Sequence, residues 1–80
     1  MDTISAVKNR ILQLCGERNI SVNRLASISA LPPSSVKNIL YRKSQNPKLL
    51  TIKMLCDGLG ITLGEFFSTP EFDALEQEIR

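Results

Sequence analysis

The sequence predicts an all-α domain of four or five short helices. Aliphatic residues recur at three- and four-residue steps along most of the chain, no stretch alternates apolar and polar residues with the period of a strand, and Pro and Gly gather at the joints between the runs. Eighty residues make one domain with a modest core, too short to hold a sizeable sensing domain beside it. Only four residues are aromatic, so that core must be mainly aliphatic.

Asp2 or Thr3 can cap the first helix, and Ile4, Val7, Ile11, Leu14 and Cys15 follow at helical spacing. Lys8, Arg10, Gln13 and Glu17 take its other faces, Gly16 sits late in the pattern, and Asn19 closes it. Ser21 suits the cap of a second helix, because its hydroxyl can satisfy an orphan backbone N–H. Leu25, Ala26 and Ile28 give that helix its apolar face. At about two turns it is too short to stand alone and must pack on a neighbour. Ser29-Ala30-Leu31 forms a turn. Pro33, after Pro32, fits the first position of a third helix, where a missing N–H costs nothing, and Val36, Ile39 and Leu40 form the buried stripe.

Residues 42–48, RKSQNPK, form a polar, basic loop. A fourth helix runs from Leu49 or Leu50 to Leu59 with Ile52, Leu55, Cys56 and Leu59 inward, its end marked by Gly58 and Gly60. Thr62 can cap a fifth helix containing Leu63, Phe66 and Phe67. Pro70 then separates residues 1–70 from an acidic segment, 71–80, which can add a short final helix with Phe72, Leu75 and Ile79 on one face.

Charge is unevenly spread. Residues 1–70 hold nine Lys/Arg and four Asp/Glu, giving +5, whereas 71–80 hold one Arg and four acids, giving −3. From Arg18 to Cys56 there are seven cations and no acid. The small net charge by itself implies only solubility; the acid-free stretch implies a polyanionic partner. Within it lies SVNRLASISALPPSSVKNIL, residues 21–40, two short helices broken by a tight turn. That unit is the geometry that sets one helix in the DNA major groove while the other braces against the backbone. Ala26 is small enough for the close crossing, Leu31 closes the turn, and Val36 and Ile39 lock the second helix from below.

With its surroundings this segment resembles a known family. VNRLASISALPPSSVKNIL followed by NPKLLTIKMLCDGLGITLGEFF is similar to the Cro/CI-type (XRE-type) helix-turn-helix regulators of bacteria and phages, over residues 4–67. The most specific parts are Leu25-Ala26, Ser34 to Val36, and the downstream NPxxxTI and LCDxLGIxLxEFF patterns. The resemblance implies a compact five-helix bundle of the lambda-repressor-like kind and a sequence-specific transcriptional regulator, read as a repressor. It also implies a homodimer on a two-fold symmetric double-stranded operator, with helix 32–41 in the major groove. Carried over by position, it implies that Pro33, Ser34, Lys37 and Asn38 face base edges, with Ser35 on a base or a phosphate. Asn suits bidentate reading of adenine and Lys suits guanine O6/N7. It places Ser21, Val22 and Asn23 against phosphate at the start of the bracing helix, and Arg42, Lys43, Asn46 and Lys48 on the flanking backbone. For Tyr41 a phosphate contact competes with packing of its ring on the bundle, the favoured reading. Three positions depart from the pattern: Ala30 and Arg42 stand where Gly is common, and Pro32 where a Ser/Thr cap is common.

Other chemistry finds little support. The chain has no His and no glycine-rich phosphate loop, so enzymatic, metal and cofactor readings are not expected. Glu71, Asp73, Glu76 and Glu78 read as a solvated face. Cys15 and Cys56 read as buried thiols in a reducing cytoplasm rather than a disulfide or metal pair. Lys43, Lys48 and Lys53 are balanced between DNA contact and a solvated face, and Phe66, Phe67 and Phe72 read as core or dimer surface. No apolar run approaches the ~20 residues of a membrane span, and no small-molecule ligand is evident. The alternative is a protein-interaction module, antitoxin-like or co-regulatory, acting through the apolar stripe of the tail.

Overall fold

The computed structural model describes residues 1–41 and 46–79 of the chain. Those residues form six helices in the order α1 (Thr3–Arg18), α2 (Val22–Ile28), α3 (Pro33–Tyr41), α4 (Leu49–Leu59), α5 (Leu63–Phe67) and α6 (Pro70–Asp73), with no strand among them. Asp2 caps α1, its carboxylate accepting the Ser5 N–H at 2.9 Å. Hydrogen bonds from Ser5, side chain before backbone, hold that carboxyl below its ordinary pKa. Thr62 caps α5 in a reciprocal box: the Glu65 N–H donates to Thr62 Oγ1 at 3.0 Å, and the Thr62 N–H donates back to Glu65 Oε1 at 3.3 Å.

Three helices end in the same way. The N–H groups of Ile20, Leu31 and Ile61 donate to the carbonyls of Cys15, Ala26 and Cys56, five residues back, and a left-handed residue at Asn19, Ala30 or Gly60 turns the chain. Glycine needs no justification there, and asparagine tolerates the conformation. Ala30, at φ 56°, carries a Cβ into a region that costs an L-residue about 1–2 kcal/mol. Ala30→Gly is therefore expected to stabilise the domain by about 0.5–1 kcal/mol, the strain relieved exceeding the unfolded-state entropy restored. A rise of ~2–6 °C in thermal midpoint would report it, and a fall would show that the turn is unstrained.

One core joins all five larger helices. Ile11, Leu25, Ala26, Val36, Cys56 and Phe66 have no measurable exposure, with Val7, Leu14, Ile39, Ile52, Leu55 and Leu59 around them. Both cysteines are free and buried, and desolvation pushes their thiols up in pKa. Phe66, Phe67 and Phe72 form a cluster, Phe67 meeting Phe66 at 4.8 Å and Phe72 at 5.0 Å, both edge to face.

Two expectations need correction. Gly58 does not mark the end of α4, which runs past it to Leu59 before Gly60 breaks it. Gly58 lies where α4 meets the end of α2: a Cβ at 58 would overlap the Ser29 hydroxyl oxygen and stand 2.9 Å from the Ile28 carbonyl oxygen. The final helix is a single turn, α6, and Ala74 to Ile79 follow without regular structure. Ile79 is 77% exposed, so the expected stripe does not form; Phe72 alone joins the aromatic cluster. Four acids within eight residues repel one another and disfavour the C-terminal end of a helix, where the dipole is already negative.

Candidate nucleic-acid interface

Ser21 sets the start of α2, its Oγ accepting the Arg24 N–H at 3.0 Å. Leu25 and Ala26 are fully buried and fix α2 against the bundle. The turn then returns the chain through Ala30, and Leu31 tucks partly into the core. Pro33 begins α3, one residue later than the span 32–41, and the Pro32 carbonyl accepts the Ser35 N–H at 3.0 Å.

Val36, Ile39 and Leu40 are buried, which points the opposite side of α3 outward. Ser34, Lys37, Asn38 and Tyr41 occupy that side at steps of three and four residues, and all four are exposed. Pro33 is exposed beside them, and Ser35 is half-buried at their flank. Tyr41 is 65% exposed, so its ring does not pack on the bundle as favoured above. Val36, Ile39 and Leu40 already fill the core side of α3, and the Tyr41 side chain leaves on the same face as Ser34 and Lys37.

Ser35 and Asn38 share a groove of about 280 Å³ with Asn46, Pro47, Lys48 and Thr51. The groove brings two of the expected base-facing residues beside two of the expected phosphate-facing ones. Thr51, on the first turn of α4, lines it as well and carries no signal in the sequence beyond its place in the NPxxxTI pattern. Lys48 precedes α4 without capping it by its side chain, and its exposed ammonium remains available to a ligand. Ser21 and Asn23 are exposed at the start of α2, whereas the Val22 side chain packs against the core, leaving only its backbone for an external contact. Arg42 and Lys43 lie outside the described residues. Lys53 pairs with Asp57 one turn along α4, which fits a solvated face.

The sequence did not single out Arg10. Its Nε donates to the Phe66 carbonyl at 2.7 Å and its Nη2 to the Glu65 carbonyl at 2.8 Å, clasping α1 to the end of α5. Arg18 reaches the Leu59 carbonyl at the end of α4 at 3.4 Å. Two of the cations are thus taken up in bracing the bundle rather than facing a ligand. Among the described residues no three His, Cys, Asp or Glu are grouped to hold a metal, and no helix is long and apolar enough to cross a membrane.

A short helical hairpin with a polar, outward-facing second helix and a basic flank defines a helix-turn-helix DNA-binding domain. The chain belongs to the Cro/C1-type HTH DNA-binding domain family, whose sequence profile matches residues 10–71. This is a DNA-binding regulatory family, not an enzyme family. The fold is similar to that in the crystal structure of the prophage Lp1 protein 11, with a TM-score of 0.80 and 29% sequence identity over 94% of this chain and 100% of that one. No curated protein matches the chain.

Proposed function

We propose that this DNA-binding regulator is a sequence-specific transcriptional repressor that inserts α3 into the major groove and acts in the cytoplasm as a homodimer on a two-fold symmetric operator. The observation that carries this reading is the exposed stripe Ser34, Lys37, Asn38 and Tyr41 set directly opposite the buried stripe of the same helix. Pro33, Ser34, Lys37 and Asn38 are the base-facing set, Ser35 serving a base or a phosphate. Asn38 reads adenine through paired hydrogen bonds, Lys37 donates to guanine or a phosphate, and Pro33 offers an apolar surface to a thymine methyl. Ser21, Val22, Asn23, Tyr41, Asn46 and Lys48 hold the sugar-phosphate backbone, together with Arg42 and Lys43, and position the protein without specifying sequence. The protein-interaction alternative loses much of its basis, because Phe72 packs with Phe66 and Phe67 rather than on a partner-facing stripe.

Selection from a random DNA pool is expected to return a short symmetric site, and a flat result at low salt would refute the reading. Asn38→Ala is expected to weaken binding to the selected site by about 1–3 kcal/mol while leaving random DNA unchanged. Lys48→Ala is expected to weaken both alike and to flatten the dependence of affinity on salt, since it removes one counterion-releasing contact. Equal losses on both DNAs for both variants would contradict this division of labour.

A further inference from the structure

We infer that Thr51 is a further DNA-backbone residue, closing a seat for one phosphodiester between α3 and α4; the inference rests on the DNA-binding reading above. The seat is the groove of about 280 Å³ that Ser35, Asn38, Asn46, Lys48 and Thr51 line, with Ile39 and Pro47 as its apolar part. Each of those polar side chains can donate a hydrogen bond, one is a cation, and no carboxylate stands among them. None of them has a hydrogen-bond or ion-pair partner among the described residues. Lys53, two residues past Thr51, is by contrast already engaged by Asp57. A concave set of unengaged donors with one positive charge and an apolar wall suits an anionic acceptor attached to an apolar ring. That is the chemistry of a phosphodiester and its deoxyribose.

Thr51 is the donor held most firmly before a ligand arrives. It is half-buried on the first turn of α4, beside Ile52, whose buried side chain sets the rotation of that helix. Its β-branched side chain has few rotamers, so directing its hydroxyl to a phosphate oxygen costs little entropy. Lys48 is exposed and must order a long stem to do the same. Ser35 and Asn38 come from α3 and Thr51 from α4, so a phosphate gripped by both helices fixes how α3 sits on the duplex. The Thr51 hydroxyl is uncharged and releases no counterion, which separates its contribution from that of Lys48.

The test is Thr51→Val in the full chain, which removes the hydroxyl and keeps the shape, with Thr51→Ser as the variant that keeps the hydroxyl. Affinity for random-sequence and selected duplexes is read by fluorescence anisotropy from ~50 to ~300 mM salt. Thr51→Val is expected to weaken binding about 3- to 30-fold on both duplexes, with the slope of log affinity against log salt unchanged. Thr51→Ser is expected to bind within about 2-fold of the wild type. Thermal melts check the fold, and Thr51→Ala repeats the reading without a branched side chain, so a folding fault in one variant leaves the other. Equal affinity of wild type and Thr51→Val overturns the seat. So does a loss confined to the selected duplex, which assigns Thr51 to a base, or an equal loss in Thr51→Ser, which assigns its role to the methyl group. Binding by all forms without a difference sinks the Thr51 contact alone; absence of binding by any form at low salt sinks it and the DNA-binding reading together.

Discussion

Phe66→Ala is expected to cost about 3–5 kcal/mol of stability, a large share of the 5–15 kcal/mol typical of a small domain. The ring has no measurable exposure, and it is the largest of the fully buried side chains. It meets Phe67 edge to face at 4.8 Å and Phe72 at 6.2 Å, so its removal also withdraws part of the support of α6, which keeps its Phe67–Phe72 contact. Its carbonyl oxygen accepts Arg10 Nε, which ties the backbone at 66 to α1 and hinders the collapse that would close the cavity. Urea unfolding followed by circular dichroism measures the loss. A cost below about 1.5 kcal/mol would show that the neighbouring side chains refill the site.

Gly58→Ala is expected to destabilise by about 1–3 kcal/mol, although alanine is the better helix former. The added methyl group overlaps the Ser29 hydroxyl oxygen and stands 2.9 Å from the Ile28 carbonyl oxygen. The side chain can be removed, but the carbonyl belongs to the last residue of α2 and cannot yield without moving the turn that aims α3. Ser29 is buried, and its hydroxyl has no hydrogen-bond partner among the described residues. Ser29→Ala alone is therefore expected to be neutral or to stabilise by up to about 1 kcal/mol. Combined with Gly58→Ala it should recover part of the loss and no more, because the Ile28 carbonyl remains in place. Full recovery would place the whole conflict at the hydroxyl. Affinity for the selected DNA site should fall with Gly58→Ala beyond any change on random DNA, since the displaced residues lead directly into Ala30 and α3.

Most of the fold is legible in the spacing of aliphatic residues, because a buried stripe at helical period is a local signal. Val36, Ile39 and Leu40 orient α3, and Ile52, Leu55, Cys56 and Leu59 orient α4, as the periodicity predicts. The caps at Ser21 and Thr62 are local as well, and Glu65 three residues after Thr62 completes a pattern visible in the sequence. What escapes is long-range. Gly58 looks like a terminator until α2 is placed against it. Arg10 looks solvated until the end of α5, 56 residues away, comes within reach. Tyr41 looks like a packing residue because its ring is large and apolar, yet the core side of α3 is already filled. The tail has the right apolar spacing for a helix, but crowded like charge ends it after one turn.

The Arg10 clasp touches only main-chain oxygens of α5, at Glu65 and Phe66. Its grip is thus indifferent to which side chains α5 displays. Substitution of the α5 side chains leaves both carbonyl acceptors in place, and on the exposed face of that helix it is Glu65, through the Thr62 cap, that stays tied to the scaffold. Position 10 has no such latitude: lysine lacks the planar fork that reaches two carbonyls at once.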